Sequence, residues 1–366
     1  MPHTSLLVRC LSGSLLLASV VLADGGVTFT DIANDPASGL SYERARSATA
    51  EVMDALRQQS LVEPLPPMAL ASMPYNTNGQ PGIAVFDYDG DGDLDIYVTN
   101  GPGADNSLFQ SQLEQTGALS FVDVGAAAGV AATAQDGMGV CYGDTDNDGD
   151  DDLLVLGRDE PNRFFVNNGD GTFSEITDSA LAGGETSSPS CTFGDIDNDG
   201  LLDLLIGNAY DHGDLLACMV EPYALTEHNQ LFHNQGGHVF VDISDTSGIR
   251  DLTGYNPPAD GEAGITWAVS MVDVDLDGDL DLIFGDDQCA MLETYYGGAV
   301  DRGFLHFMIN DGSGQFTDLP MLDGPFPSSS WMGLGFGDLD CDGTIDVFGS
   351  NFGDYMDIAT NTPYTF

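Results

Sequence analysis

Asp87-Tyr-Asp-Gly-Asp-Gly-Asp-Leu-Asp95 runs directly into the apolar stretch Ile96-Tyr-Val98. The same pattern, Asp-x-Asp-x-Asp-Gly-x-x-Asp, returns at Asp144–Asp152, Asp195–Asp203, Asp273–Asp281 and Asp338–Asp346. Carboxylates at positions 1, 3 and 5 of such a loop converge only if the backbone coils tightly. Glycine at position 6 permits that turn, because it has no Cβ to clash at positive φ; Gly92, Gly149, Gly200, Gly278 and Gly343 hold it here.

Each copy offers four carboxylates and one main-chain carbonyl at position 7. The first has Asp87, Asp89, Asp91 and Asp95 with Asp93, and the second Asp144, Asp146, Asp148 and Asp152 with Asp150. The third has Asp195, Asp197, Asp199 and Asp203 with Leu201. The fourth has Asp273, Asp275, Asp277 and Asp281 with Asp279, and the fifth Asp338, Asp340, Asp342 and Asp346 with Thr344. The position-7 side chain varies, as expected where only its carbonyl is used. An all-oxygen cage suits Ca²⁺, whereas Mg²⁺ demands stricter octahedral geometry. Zn²⁺ prefers Cys and His, and neither occupies a ligand position. Ca²⁺ is therefore the expected cofactor, structural, at about five ions per chain and with an affinity of ~10⁻⁴–10⁻³ M. An EF-hand would close with Glu at position 12; Val98, Val155, Ile206, Phe284 and Gly349 stand there instead. One such match could be an acidic turn that binds nothing. Five copies, each leading into the same strand pattern, argue against chance.

The repeat is larger than the loop. A small and apolar strand precedes each copy, as in Gly82-Ile-Ala-Val-Phe86 and Met332-Gly-Leu-Gly-Phe-Gly337. After the loop and its strand come Asn and an apolar pair (Asn106-Ser-Leu-Phe, Asn162-Arg-Phe-Phe, Asn229-Gln-Leu-Phe), then turns such as Asn167-Asn-Gly-Asp-Gly, which are hairpin signals. An aromatic-led strand ends the unit: Phe121-Val-Asp-Val, Phe173-Ser-Glu-Ile, Phe240-Val-Asp-Ile, Phe316-Thr-Asp-Leu. Four strands per unit, with loop starts 57, 51, 78 and 65 residues apart, read as an all-β chain of β-propeller blades. Val27-Thr-Phe-Thr-Asp-Ile32 matches the unit's last strand and is expected to pair into the final blade. The reading is a closed five-bladed ring, with a truncated seven-bladed ring as the alternative.

Residues 1–23 read as a signal peptide, with Arg9, apolar Leu11–Leu22 and a Val21-Leu22-Ala23 cleavage site. Residues 24–80 hold the N-terminal strand, a short helix over Ser41–Gln59 capped by Ser41, and a Pro-rich linker; residues 81–366 form the propeller. A formal net charge of −51, with no Lys and eight Arg, makes nucleic acid and anionic membrane poor partners. No stretch after the leader is long and apolar enough to span a bilayer. The chain is therefore expected to be secreted, or otherwise extracellular or periplasmic. Cleavage leaves Cys141, Cys191, Cys218, Cys289 and Cys341. Cys218–Cys289 is a candidate bridge; Cys141 and Cys191 read equally as a bridge or as buried thiols.

The strings Phe-x-Asp-Ile/Val, Gly-Asp-x-Asp-x-Asp-Gly-x-x-Asp and Asn-x-Leu-Phe-x-Asn-x-Gly resemble FG-GAP/VCBS-like repeats over about residues 80–350. The chain is similar to the cartilage acidic protein family, and integrin α-chain propellers carry similar Ca²⁺ loops. The resemblance implies an extracellular Ca²⁺-binding propeller serving adhesion or recognition, and it carries over the loop Asp residues but no catalytic residue. Integrin-like relatives have seven blades, against five repeats here.

His212, His228, His233 and His238 fall in one stretch and could bind metal or act in acid–base chemistry; an exposed polar insertion is favoured. Trp267 and Trp331 could stack on a sugar, though blade packing is favoured. The insertions Tyr210–Asn229 and Asp286–Arg302 should project from one face, where Tyr223, Tyr295 and Tyr296 mark the best surface for a partner. The function expected is a non-enzymatic, calcium-binding recognition or adhesion module for an extracellular protein or glycan. The alternative is an extracellular polysaccharide lyase or hydrolase on the same scaffold.

Overall fold

The computed structural model describes residues 32, 35–66, 69, 80–182, 184, 186–209, 227–252, 264–287, 303–319, 331–351, 356–357 and 362–363. The fold is a β-propeller of four-stranded antiparallel meanders. Blade one is β1 (Ile83–Phe86), β2 (Asp95–Val98), β3 (Ser107–Ser111) and β4 (Phe121–Asp123), hydrogen-bonded in that order. Blade two is β5 (Gly137–Gly143), β6 (Asp152–Gly157), β7 (Arg163–Asn167) and β8 (Phe173–Ile176). Blade three is β9 (Ser190–Gly194), β10 (Asp203–Gly207), β11 (Gln230–Asn234) and β12 (Phe240–Asp242). Blade four is β13 (Thr266–Val272), β14 (Asp281–Asp286), β15 (Leu305–Asn310) and β16 (Phe316–Leu319). The fifth unit contributes the pair β17 (Trp331–Gly337) and β18 (Asp346–Asn351), and a small hairpin follows, β19 (Met356–Asp357) with β20 (Thr362–Pro363).

The first strands of successive units neighbour one another, β1 to β5 to β9 to β13 to β17. Every Asp loop joins a first strand to a second, so all five lie on one rim. The second strands of blades two, three and four are covered on both sides by adjacent blades. This explains why Leu153–Leu156, Leu204–Ile206 and Leu282–Phe284 are apolar runs, not alternating ones, and are fully buried. The core is a series of interblade clusters. Phe86, Tyr97 and Leu108 meet Leu153, Val155 and Phe165; Leu154 and Phe164 meet Leu204, Ile206 and Phe232. Leu205 and Leu231 meet Leu282, Phe284 and Met308, and Ile283 and Phe307 meet Trp331.

The connection leaving each outer strand wedges into the next interface, bringing in Val130, Leu181 and Ile249. Gly129 and Gly248 adopt positive φ just before Val130 and Ile249, each close to the outer-strand Phe of the next blade, Phe173 and Phe316. Gly39 repeats this on blade one. At φ 72° its position would put a Cβ 2.0 Å from the Phe121 carbonyl oxygen, and Ile32 and Leu40 pack on Val98, Phe109 and Phe121. Ile32 and residues 35–40 thus take the place of a connection leaving an outer strand. Val27–Asp31 lie outside the described residues.

The helix, α1, spans Ala48–Ser60 with Ser47 as its N-cap, not Ser41. Residues 42–45 are held non-helical by tertiary bonds: Tyr42 Oη donates to the Thr99 carbonyl and Ala45 N–H to Asn100 Oδ1. Arg44 binds Asp136 at 2.7 Å and the Gly137 carbonyl at 2.8 Å. These partners sit on the rim opposite the Asp loops. Among the described residues no helix is long and apolar enough to cross a membrane. Both tryptophans serve blade packing. Trp331 is 3% exposed among Ile283, Leu305 and Phe307, and Trp267 is 8% exposed with its indole N–H on Asp287, so neither presents a face to a sugar.

Candidate cation sites

Two clamps build each loop. The position-1 carboxylate accepts the backbone N–H of positions 5 and 6, curling the chain around it. Asp87 takes Asp91 and Gly92, Asp144 takes Asp148 and Gly149, and Asp195 takes Asp199 and Gly200. Asp273 takes Asp277 and Gly278, and Asp338 takes Asp342 and Gly343. The position-9 carboxylate accepts from position 2 through one oxygen: Tyr88 to Asp95, Thr145 to Asp152, Ile196 to Asp203, Val274 to Asp281 and Leu339 to Asp346. Through its other oxygen it accepts from the third strand: Ser111 to Asp95, Asn167 to Asp152, Asn234 to Asp203 and Asn310 to Asp281.

Carboxylate oxygens converge as a result. Asp87, Asp89 and Asp95 bring ligand atoms within 4.8 Å of one another, as do Asp144, Asp146 and Asp148, then Asp195, Asp197 and Asp199, and Asp273, Asp275 and Asp281. These clusters can hold a metal ion. Two observations fit a hard cation. The position-3 atoms Asp89 Oδ1 and Asp197 Oδ1 are buried with no hydrogen-bond partner. Burial also pushes the position-9 carboxyls up, Asp95 and Asp152 to about 6 and Asp203 and Asp281 in the same direction, although backbone N–H donors pull the other way. A buried anion of this kind is stabilised by a nearby positive charge.

Position 4 carries a constraint that the sequence pattern hides. It is left-handed in every copy, with φ between 59° and 70° at Gly90, Asn147, Asn198, Leu276 and Cys341. Gly and Asn tolerate this region; Leu does not. Leu276 is 53% exposed, so little packing is lost by replacing it. Leu276→Asn is expected to stabilise the protein by about 0.5–1 kcal/mol, seen as a higher urea midpoint at unchanged slope.

His233 and His238 do not share one site. His233 lies on β11 with Nδ1 3.0 Å from Asp203 Oδ1 and 3.7 Å from Asp197 Oδ2, at the third loop. His238 reaches back to the second loop, Nε2 3.4 Å from Asp146 Oδ2. A ring nitrogen therefore stands beside the carboxylates of both the second and the third loops. His212, Tyr223, Tyr295, Tyr296, Cys218 and Cys289 lie outside the described residues. Cys141 and Cys191 form a disulfide between the first strands of blades two and three, and Cys341 is a free, exposed thiol. His306, not singled out from the sequence, is buried with Nδ1 3.1 Å from Asp318. Burial works against its charge, but the bond to Asp318 and the charges of Asp286 and Asp318 outweigh it and raise its pKa.

The sequence marks Asn167 only as a turn residue, and Asn234 and Asn310 stand at the same place in blades three and four. Each side-chain amide donates twice: within its own blade, and to the position-2 carbonyl of the preceding blade's loop, at Tyr88, Thr145 and Ile196. Their recurrence before a Gly-containing turn was the available signal.

Residues 87–155 and 144–206 match the family model of the FG-GAP-like repeat. No curated protein matches the chain. Among solved structures, the chain is similar to an Agrocybe aegerita lectin that recognises non-reducing terminal N-acetylglucosamine. The identity is 19%, over 76% of this chain and 63% of that one, with a TM-score of 0.43. It is also similar to part of the Photorhabdus luminescens Tc holotoxin pore (17%, 73% and 10%, TM-score 0.35) and to a Bacillus licheniformis rhamnogalacturonan lyase (16%, 77% and 49%, TM-score 0.38). The chain spans less than two-thirds of the length of each.

Proposed function

The chain is an FG-GAP-like repeat protein, and from that premise we propose that it is a secreted, calcium-stabilised propeller that binds an extracellular protein or glycan without chemistry of its own. The observation that carries the reading is the doubly clamped Asp loop, repeated on one rim, with buried, unpartnered position-3 oxygens in the first and third copies. In each loop the four Asp side chains and the position-7 carbonyl would hold the ion. Ca²⁺ would supply structural charge neutralisation there and no reaction step. His233 and His238 face loop carboxylates, and both Trp are packed between strands, so these groups support no cleft. The disulfide fits an oxidising compartment.

Recognition is assigned to the rim opposite the loops, where the connections after the second strands leave the blades. Probing an array of extracellular matrix proteins and acidic and neutral glycans should give binding in Ca²⁺ that vanishes in EGTA. Release of reducing or unsaturated ends from those glycans would replace this reading with an enzymatic one.

A further inference from the structure

The clamps of separate loops join into one line. Asp95 accepts from Tyr88 N–H at 3.1 Å, and the Tyr88 carbonyl accepts from the Asn167 side chain at 2.8 Å. Asn167 N–H donates to Asp152 at 2.9 Å, and Asp152 accepts from Thr145 N–H at 3.2 Å. The Thr145 carbonyl accepts from the Asn234 side chain at 2.8 Å, and Asn234 N–H donates to Asp203 at 2.8 Å. Asp203 accepts from Ile196 N–H at 3.0 Å, and the Ile196 carbonyl accepts from the Asn310 side chain at 2.7 Å. Asn310 N–H donates to Asp281 at 2.9 Å, and Asp281 accepts from Val274 N–H at 2.9 Å. The position-9 carboxylates of four blades are thereby connected without a break, and Asp95, Asp152, Asp203, Asp281, Asn167, Asn234 and Asn310 are all buried.

We infer that this relay couples the cation sites, so that an ion in one loop prepares the loop of the next blade, with Asn167, Asn234 and Asn310 as positioning residues. The inference rests on the calcium reading above. An ion that fixes a position-9 carboxylate also fixes the position-2 residue whose N–H donates to it. The carbonyl of that same residue, in the following peptide, orients the next Asn, whose own N–H orients the next carboxylate. Ordering achieved by the first ion is not required again of the second, which is positive cooperativity. Hydrogen bonds in series at low dielectric also strengthen one another. A second contact runs in parallel: Asn198 donates to Asp279 Oδ1 of the following loop at 2.6 Å.

Blade one supplies the test substitution. Ser111 stands at the Asn register there and keeps the N–H bond to its own Asp95 at 2.7 Å. Asn234→Ser should therefore keep the clamp within blade three and lose the link to Thr145. Asn168→Ser, at the exposed residue that follows Asn167 in blade two and bonds only within its own hairpin, is the control. Calorimetric titration of the calcium-stripped full chain with CaCl₂ should give a cooperative isotherm for the native protein and for Asn168→Ser. Asn234→Ser, checked as folded by circular dichroism, should bind the same number of ions with reduced cooperativity and about fivefold weaker uptake in part of the isotherm. Independent sites in the native protein, or an unchanged isotherm in Asn234→Ser, would overturn the coupling while leaving calcium binding intact. No uptake at all would remove the calcium reading and the coupling with it.

Discussion

Asp203→Ala is expected to lower stability by about 3–5 kcal/mol, the largest effect of any single substitution considered. Asp203 has no solvent exposure, and its two oxygens satisfy the N–H groups of Ile196 and Asn234, at 3.0 and 2.8 Å. Alanine leaves both donors buried and unpaired, each at a cost of about 1–3 kcal/mol. His233 also loses the nearer of its two carboxylates. The loss should appear as a reduced urea midpoint. Repeating the measurement in EGTA divides it: what persists without Ca²⁺ is the hydrogen-bond contribution, and what disappears is the contribution of the metal. Asp203→Asn should cost less, because one oxygen remains to accept from a backbone N–H.

Removing the Cys141–Cys191 disulfide is expected to cost about 3–4 kcal/mol. The bond closes a chain segment of 50 residues and ties the first strand of blade two to that of blade three. Freeing that segment enlarges the unfolded ensemble more than it alters the folded state. Cys141→Ala with Cys191→Ala is the suitable pair, since Cys141 is buried and serine would bury a hydroxyl. The double variant should unfold at a lower urea concentration than the native protein under oxidising conditions, and the two should converge once the native protein is reduced. Coincident transitions before reduction would show that the bridge contributes nothing.

The blades were legible because their signals are local. Each Asp loop is a short motif, and the second strands of blades two to four are apolar runs that two flanking blades explain. What escaped depends on partners remote in the chain. Asn167, Asn234 and Asn310 reach carbonyls 79, 89 and 114 residues away, so sequence showed only their turns. The sequence points to Ser41 as the cap. Tertiary bonds from Tyr42, Arg44 and Ala45 decide for Ser47. His233 and His238 are close in sequence, but a strand and a turn send them to different loops. The left-handed position 4 was hidden by Leu276 and Cys341, which stand where Gly90, Asn147 and Asn198 show the requirement openly. The Cys141–Cys191 pairing follows from the side-by-side placement of β5 and β9, which spacing alone does not give.

The central claim is that Ca²⁺ in the Asp loops is part of the folded structure. Paired thermal melts of the native chain, in Ca²⁺ and in EGTA, test it most directly. With free Ca²⁺ at about ten times a loop's dissociation constant, each occupied loop contributes about 1.4 kcal/mol, or about 7 kcal/mol for five. The account predicts a large fall in melting temperature on chelation, restored by Ca²⁺ and not by an equal concentration of Mg²⁺. Superimposable melts in Ca²⁺ and EGTA would contradict it.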